Sequence, residues 1–484
     1  MKIKNFKLKG SLLIPIIIFF GIALVIMGGI IKWTQITIEA NRQLIVREKA
    51  IQLAESGIDY YRWHLAHSQN DFQDGTGNVG PHIHQVFDKD GNLTGSFSLT
   101  ITAPMIGSTK VAIESVGTPI DTTISRKIKV EMAIPSLAKY AVAANDVMRF
   151  GEETEVFGPI HSNKGIRFDG LAHNIVTSAL SVYDDPDHSG GNEFAVHTHL
   201  NIPVSSGVNE NFRPAEALPT NPIPTRTDVF EVGRQFPVPA VDFTGLTNNL
   251  ANIKSEAQNS GKYFASSGSQ GYQIILKTND TFDIYKVISQ INPPGGCTNV
   301  AGQTDWKTWS INNRQFIGNY TIPANGLIFL EDNVWVEGSI NSARVTIANG
   351  RFPDNPSNRP QLTVNNDLTY TNYDGTDVIA LISQGNLNVG LVSDTNLRID
   401  AALVSQNGRV GRYYYESDCA PYYIRNSLIL FGMIATNLRY GFAYTDNTGY
   451  QIRNIIYDAN LLYSPPPSFP LTSSNYEILS WQEI

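Results

Sequence analysis

Residues 11–31, SLLIPIIIFFGIALVIMGGII, carry no charged side chain, and this run constrains the chain more than any other feature. At 1.5 Å per residue it makes roughly 32 Å of helix, enough to cross the hydrocarbon core of a bilayer. A cleaved secretory signal has a shorter apolar core with a small-x-small site behind it. Here the run passes straight into IKWTQITIEANRQLIVREKA, so the segment is expected to be retained. Lys2, Lys4, Lys7 and Lys9 precede it, which places the N-terminus in the cytoplasm and everything after Trp33 outside. Pro15 falls in the first turn of a helix starting near Ser11, where its missing N–H costs little.

The pattern continues past the membrane. Trp33, Ile36, Ala40, Leu44, Ile51, Ala54, Ile58, Tyr61 and Leu65 recur at spacings of three, four or seven, one face of a continued helix. Arg47 sits in that stripe and Gly57 costs about 1 kcal/mol relative to alanine, so interruptions are expected there. From Ser11 to Ala66 the helix spans on the order of 80 Å. An anchor followed by an ordinary helix packed on the next domain fits the same residues.

The lysine-rich leader ending in Gly10, the uncharged helix from Ser11 and the motif AESGIDYYRWHLA (54–66) together resemble type IV pilin-like proteins. More narrowly, they are similar to minor pilins and pseudopilins with a PilX-type N-terminal segment. The resemblance implies cleavage between Gly10 and Ser11 by a prepilin peptidase, methylation of the new Ser11 amine, and packing of the apolar helix into a filament core. It assigns the filament face to Ile36, Ala40, Leu44, Ile51, Ala54 and Ile58. Major pilins carry a glutamate five residues into the mature chain, where this chain has Pro15. A lone buried carboxylate costs several kcal/mol unless paired, and tip-type minor pseudopilins resemble this chain in lacking it.

The 484 residues leave room for several domains; 42% are hydrophobic and only 17% charged, with abundant turn residues, which favours β-structure. A net charge of −8 with no basic stripe beyond the leader argues against a nucleic-acid partner. Cys297 and Cys419 lie in turn-like contexts, and outside the cell they are a candidate disulfide, with two unrelated thiols as the alternative.

Residues 67–94 are polar, with DKDGN (88–92) reading as a hairpin turn. SFSLTIT (96–102), KVAIESVG (110–117) and RKIKVEMAI (126–134) alternate apolar and polar residues, as strands of an antiparallel head sheet do. Beyond Pro135, short apolar runs alternate with Asn/Gly corners. LISQGNLNVG (381–390) and LVSQNGRVG (403–411) match at a 22-residue offset, and VTIANG, PIHSNKG and LILFGMIA are looser copies. Recurrence near that length reads as a β-solenoid, with a β-sandwich as the alternative. GPIHSN, GLIFLEDNVWVEG and the LLYSPPPSFP…SW ending are similar to large bacterial surface proteins with PilX-type N-termini.

The expected fold is α+β and mainly β. It comprises a leader (1–10), a transmembrane and amphipathic helix (11–66), a pilin-like head sheet (67–137) and a first β-solenoid part (138–212). A Pro-rich connector with an α/β insertion (213–310), the main β-solenoid (311–456) and an extended tail (457–484) follow. Within the insertion, Leu246, Leu250, Ile253 and Ala257 have helical spacing, and GYQIILKT and TFDIYKVI are strands.

Chemistry is sparse in the sequence. His82 and His84, and His197 and His199, each lie two apart, but zinc needs three or four converging ligands, so hydrogen-bonded or exposed rings are expected. Asp184, Asp185, Asp187 and Glu193 cluster around glycines; calcium favours such loops, yet no EF-hand spacing is present and a solvated acidic turn is the simpler expectation. No metal and no cofactor are therefore expected. Asp377, Asp394 and Asp400, near Arg398 and Arg409, are the carboxylates a polysaccharide-cleaving site would have to use, and their offsets are irregular. The chain is read as a non-enzyme. Tyr413, Tyr414, Tyr415, Tyr422 and Tyr423 form a candidate contact surface for a glycan or cell-surface ligand, with packing of the β-domain as the alternative.

The reading is a single-pass protein of the inner or cytoplasmic membrane with its C-terminal domain outside, reaching the cell surface if assembled. It serves as a minor or tip subunit of a type IV pilus-like filament in assembly, adhesion or surface binding. Its expected partners are the membrane, a prepilin peptidase and other pilin-like subunits. A monomeric signal-anchored envelope protein and a membrane-tethered carbohydrate-active enzyme are the alternatives.

Overall fold

The computed structural model describes residues 13–188, 190–200 and 222–484, which fall into two compact units. Gly10 and Ser11, the expected cleavage site, lie outside the described residues.

The first unit takes in the described residues up to 103, with 111–132 and 476–484. It opens with one α-helix, α1 (Leu13–His67), which runs without a break. The expected interruptions are absent for two physical reasons. Arg47 is exposed and turns to water. Gly57 faces a sheet so closely that a Cβ there would stand 2.3 Å from Ser115 Oγ and 2.9 Å from Phe97 Cδ2. The roughly 1 kcal/mol of lost helix propensity is the cost of that approach.

Four strands follow: β1 (His82–Phe87), β2 (Leu93–Thr102), β3 (Val111–Pro119) and β4 (Arg126–Ala133), paired in sequence order and antiparallel. β1 was not foreseen; the DKDGN turn joins it to β2, with Asp88 Oδ1 accepting from the Asp90 and Asn92 amides at 2.9 and 2.8 Å. β3 alternates buried and half-buried residues along its length. Ala54, Ile58, Tyr61 and Leu65 of α1 bury against Phe97, Leu99, Val111, Ile113, Ile128, Val130 and Met132. Each of the larger aliphatic and Phe side chains among them contributes about 1.5–3 kcal/mol on burial. The end of the chain, expected as an extended tail, instead supplies a fifth strand, Glu477–Glu483, beside β4. The Ile484 amide donates to Lys127 O at 3.0 Å.

The second unit, residues 104–110 with the described part of 133–475, is mostly β-structure organised by parallel pairing. One ladder stacks Ile328, Ile347, Leu381, Leu403, Ile434, Val142, Ile160 and Val176 in direct register. A second stacks Val334, Leu362, Leu387 and Val410. A third stacks Leu368, Ile399, Leu430, Ile455, Val156 and Ala172. These residues share one core and are almost completely buried. No strand of three or four residues could bury its apolar side alone; the neighbours above and below do it.

The order along the first ladder is not the order of the chain. Val142–Ala144 pairs with Ile434, Ala435 and Thr436, so an early segment covers an edge that the late one would leave open. A second core lies on the other side of this ladder, where Leu250, Ile253 and Ala257 of α2 (Thr244–Ser260) meet Leu327, Phe329, Ala348, Val378 and Ala380. The strands Gly271–Lys277 and Thr281–Gln290 form an antiparallel hairpin, extended by an unforeseen third strand, Ile311–Thr321.

Candidate functional site

Two features could carry function: the unpartnered half of α1, and a buried cluster of imidazoles and carboxylates in the second unit.

On α1, Leu13 to Ile45 presents Leu13, Phe19, Val25, Trp33, Ile36 and Leu44 to the surroundings, at 60–77% exposure. The 55-residue helix is long and apolar enough to cross a membrane in its N-terminal part. From Ala50 onward its inner face belongs to the head sheet. The filament face inferred from resemblance therefore needs correction. Ile36, Ala40 and Leu44 are exposed, Ile51 is half-buried, but Ala54 and Ile58 are covered by the chain's own sheet.

The cluster arises from a short hairpin. Val182–Tyr183 pairs antiparallel with Glu193–Phe194, and Val196–His197 pairs parallel with Ile166–Phe168. Asp185 lies on the connecting turn. Glu193, His197 and His199 are separated by even numbers of residues, which sends them to one side of an extended chain. Asp185, Glu193, His197 and His199 are all at least 96% buried, and one ligand atom from each falls within 4.8 Å of the others. His197 Nε2 stands 2.6 Å from Glu193 Oε2 and 3.5 Å from Asp185 Oδ2; His199 Nε2 stands 3.1 Å from Glu193 Oε1. At the rim, His188 Nδ1 is 3.2 Å from Glu193 Oε1, and its ring meets that of His199 edge-on at 4.4 Å. Arg167 binds Asp169 at 2.7 Å and reaches Asp185 at 3.7 Å.

Electrostatics follow from this crowding. Burial works against charge on His197, yet Asp185 and Glu193 outweigh it and push its pKa up to about 9. Burial also opposes the Asp185 carboxylate, but His197, the Asp187 amide and Arg167 bring it down to about 2. Glu193 is held well below the usual carboxylate range, against its own burial, by His197 and His199.

The acidic turn expected from sequence is thus only half right as a grouping. Asp185 and Glu193 converge, Asp184 is exposed, and Asp187 pairs instead with Arg439 and with Arg149 at 3.4 Å. The two imidazoles read as incidental, His197 and His199, are the residues that complete the group. The even spacing from Glu193 was the signal available for them. The other pair behaves differently: His82 is buried with Nδ1 3.5 Å from Thr76 Oγ1, and His84 binds the buried Asp74 at 2.6 Å.

Cys297 and Cys419 are joined by a disulfide. Around it the tyrosine-rich stretch proves to be a clasp, which corrects its reading as a contact surface. Tyr413 and Tyr415 are buried at 1% exposure. Tyr415 OH donates to Lys307 O at 2.6 Å, and Trp306 Nε1 donates to Tyr414 O at 2.9 Å. Tyr414 OH donates to Asp446 at 2.6 Å, and Tyr422 and Tyr423 are half-buried. The packing explanation holds because these rings pin residues 291–310 to the β-domain.

The carboxylates considered for sugar chemistry serve the backbone. Asp377 accepts from the Ala343, Thr371 and Asn372 amides at 2.7–3.0 Å. Asp400 accepts from Tyr370 N and Tyr373 OH at 3.1 and 2.6 Å and pairs with Arg398. Asp394 accepts from the Asp367 amide at 3.2 Å.

No family model matches the chain, and no curated protein matches it. Among solved structures, the crystal structure of the competence-associated pilin ComZ from Thermus thermophilus is similar over 91% of this chain and 98% of that one, at 12% identity and a TM-score of 0.28. A TM-score that low leaves the functional reading to rest on the residues themselves.

Proposed function

We propose that the chain is a membrane-inserted, pilin-like subunit, a minor or tip component of a type IV pilus-like filament that serves assembly, adhesion or surface binding. The observation that carries this reading is the division of labour along α1. One unbroken helix has an N-terminal half whose apolar side chains are exposed all round and a C-terminal half locked onto an antiparallel sheet. A helix apolar on every side suits lipid, and equally a bundle of sister helices. The leader lysines and Gly10–Ser11 supply the processing site in this reading, with a prepilin peptidase as partner.

The stacked ladders of the second unit are read as faces of a β-solenoid held outside the cell, offering a rigid surface to a glycan or cell-surface ligand. The disulfide suits that side of the membrane, since thiols stay reduced in the cytosol.

Shearing separates a filament subunit from a plain anchor. The protein is expected in the fibre fraction sheared from cells, and Leu44→Lys, on the exposed stretch of α1, is expected to remain in the membrane fraction. Wild-type protein confined to the membrane under shear would leave only the signal-anchored alternative.

A further inference from the structure

The buried cluster contains more negative charge than its fixed cations meet. Asp169, Asp185 and Glu193 face one guanidinium, that of Arg167. With Asp187 beside them meeting both Arg149 and Arg439, at least one further positive charge is needed, because unpaired buried carboxylates cost several kcal/mol each. Either an imidazole takes up a proton or a divalent cation sits among them. One contact, His199 Nε2 to Glu193 Oε1 at 3.1 Å, is an ordinary hydrogen bond, but four buried polar atoms are left over. Asp185 Oδ2, Glu193 Oε2, His197 Nε2 and His199 Nδ1 are sealed from solvent and make no directed hydrogen bond, although the first three lie close together.

His197 is also turned as a metal requires. Its Nδ1 lies 3.1 Å from Phe194 O, and a carbonyl can only accept, so Nδ1 carries a proton and Nε2 is the nitrogen that faces the carboxylates, open to a metal once its own proton is displaced. We infer that Asp185, Glu193, His197 and His199 form a site for a single transition-metal dication of the zinc class, with His188 at its rim. Two nitrogens and two carboxylate oxygens are a set that zinc accepts in four-coordination. Calcium asks for six to eight oxygens, which the cluster lacks. Bonds of about 2.0–2.1 Å at tetrahedral angles place ligand atoms ~3.3 Å apart; the contacts present run from 2.6 to 3.5 Å, so His197 and Glu193 would move apart to admit the ion. The ion would tie the hairpin at 182–194 to the segment carrying His197 and His199, so its role is structural.

The test uses full-length protein in detergent, stripped with a chelator and reloaded with Zn²⁺ or Co²⁺. Elemental analysis is expected to find about one zinc per chain, melting is expected to rise on loading, and Co²⁺ is expected to give the strong visible absorption of a four-coordinate site. Glu193→Gln and His199→Gln are expected to lose the bound metal. Asp187→Asn, whose carboxylate serves Arg149 and Arg439, is expected to keep it. Should the first two variants fail to fold, the Co²⁺ spectrum of the wild type decides alone. Zinc at background level in the reloaded wild type, binding retained in Glu193→Gln and His199→Gln, a six-coordinate Co²⁺ spectrum, or a preference for Ca²⁺ would each overturn the inference.

Discussion

Replacing Arg412 by methionine is expected to destabilise the β-domain by about 3 kcal/mol, read as a shift of the denaturant midpoint at unchanged slope. Arg412 is fully buried and has no carboxylate partner among its described contacts; its guanidinium is spent on neutral acceptors. It donates to Gly390 O, to Ser393 Oγ at 3.0 Å, to Leu391 O at 3.0 Å and to Tyr422 O at 2.8 Å. The rings of Tyr415 and Tyr450 lie 4.9 and 5.9 Å from its Cζ, near enough for cation–π attraction. Burial lowers its pKa, but a guanidinium stays protonated in proteins, so the charge must be solvated in place.

Methionine fills much of the volume and strands Gly390 O and Tyr422 O. Leu391 O keeps a donor in Arg425 at 3.0 Å. Two orphaned carbonyls cost roughly 1–3 kcal/mol each, offset in part by relief of the guanidinium's own desolvation. Lysine in place of Arg412 is expected to recover less than half, because an ammonium cannot span the same fan of acceptors. Equal stability of the methionine variant and the wild type would show that the guanidinium is dispensable.

The second large effect comes from the Cys297–Cys419 disulfide, which closes a sequence separation of 122 residues. Loop-closure entropy for a ring of that order amounts to about 4–5 kcal/mol, and measured bridges commonly return 2–4. Replacing both cysteines by serine is therefore expected to cost about 3 kcal/mol. Reductant should lower wild-type stability to the same level and leave the double variant unmoved. The bridge is not alone in holding residues 291–310: Glu416 accepts from Thr298 Oγ1 at 2.8 Å, and Gln303 Nε2 donates to Tyr444 OH at 2.7 Å. The segment should thus remain attached after reduction, with the loss appearing in unfolding rather than in local detachment. A double variant as stable as the oxidised wild type would contradict this.

Which parts of the fold were legible in the sequence follows from how local their determinants are. Leu381 and Leu403 begin strings that match by eye, and they stack directly on one another, because identical inward positions solve the same packing problem. β2 to β4 alternate cleanly enough to be read within two or three residues of their ends. Val142–Ala144 gave no warning that it pairs with residues near 435. Three residues hold no periodicity, and nothing local encodes a partner so distant.

Glu477–Glu483 escaped for a related reason. Its residues are largely exposed, so the alternation that marks a half-buried strand is missing. In the candidate site, the carboxylates drew notice because they crowd a glycine-rich turn. The imidazoles did not, since His197 and His199 matter through a hairpin that folds Asp185 back onto them. Gly57 looked like a defect in a helix until the sheet it faces was known.

The account turns on the first helix being handed over from lipid to a filament after the leader is removed. The mass of the N-terminal peptide from native cells tests this most directly. A mature chain beginning at Ser11, with or without a methyl group on its amine, is the predicted result. A chain retaining Met1 and the leader lysines would contradict it.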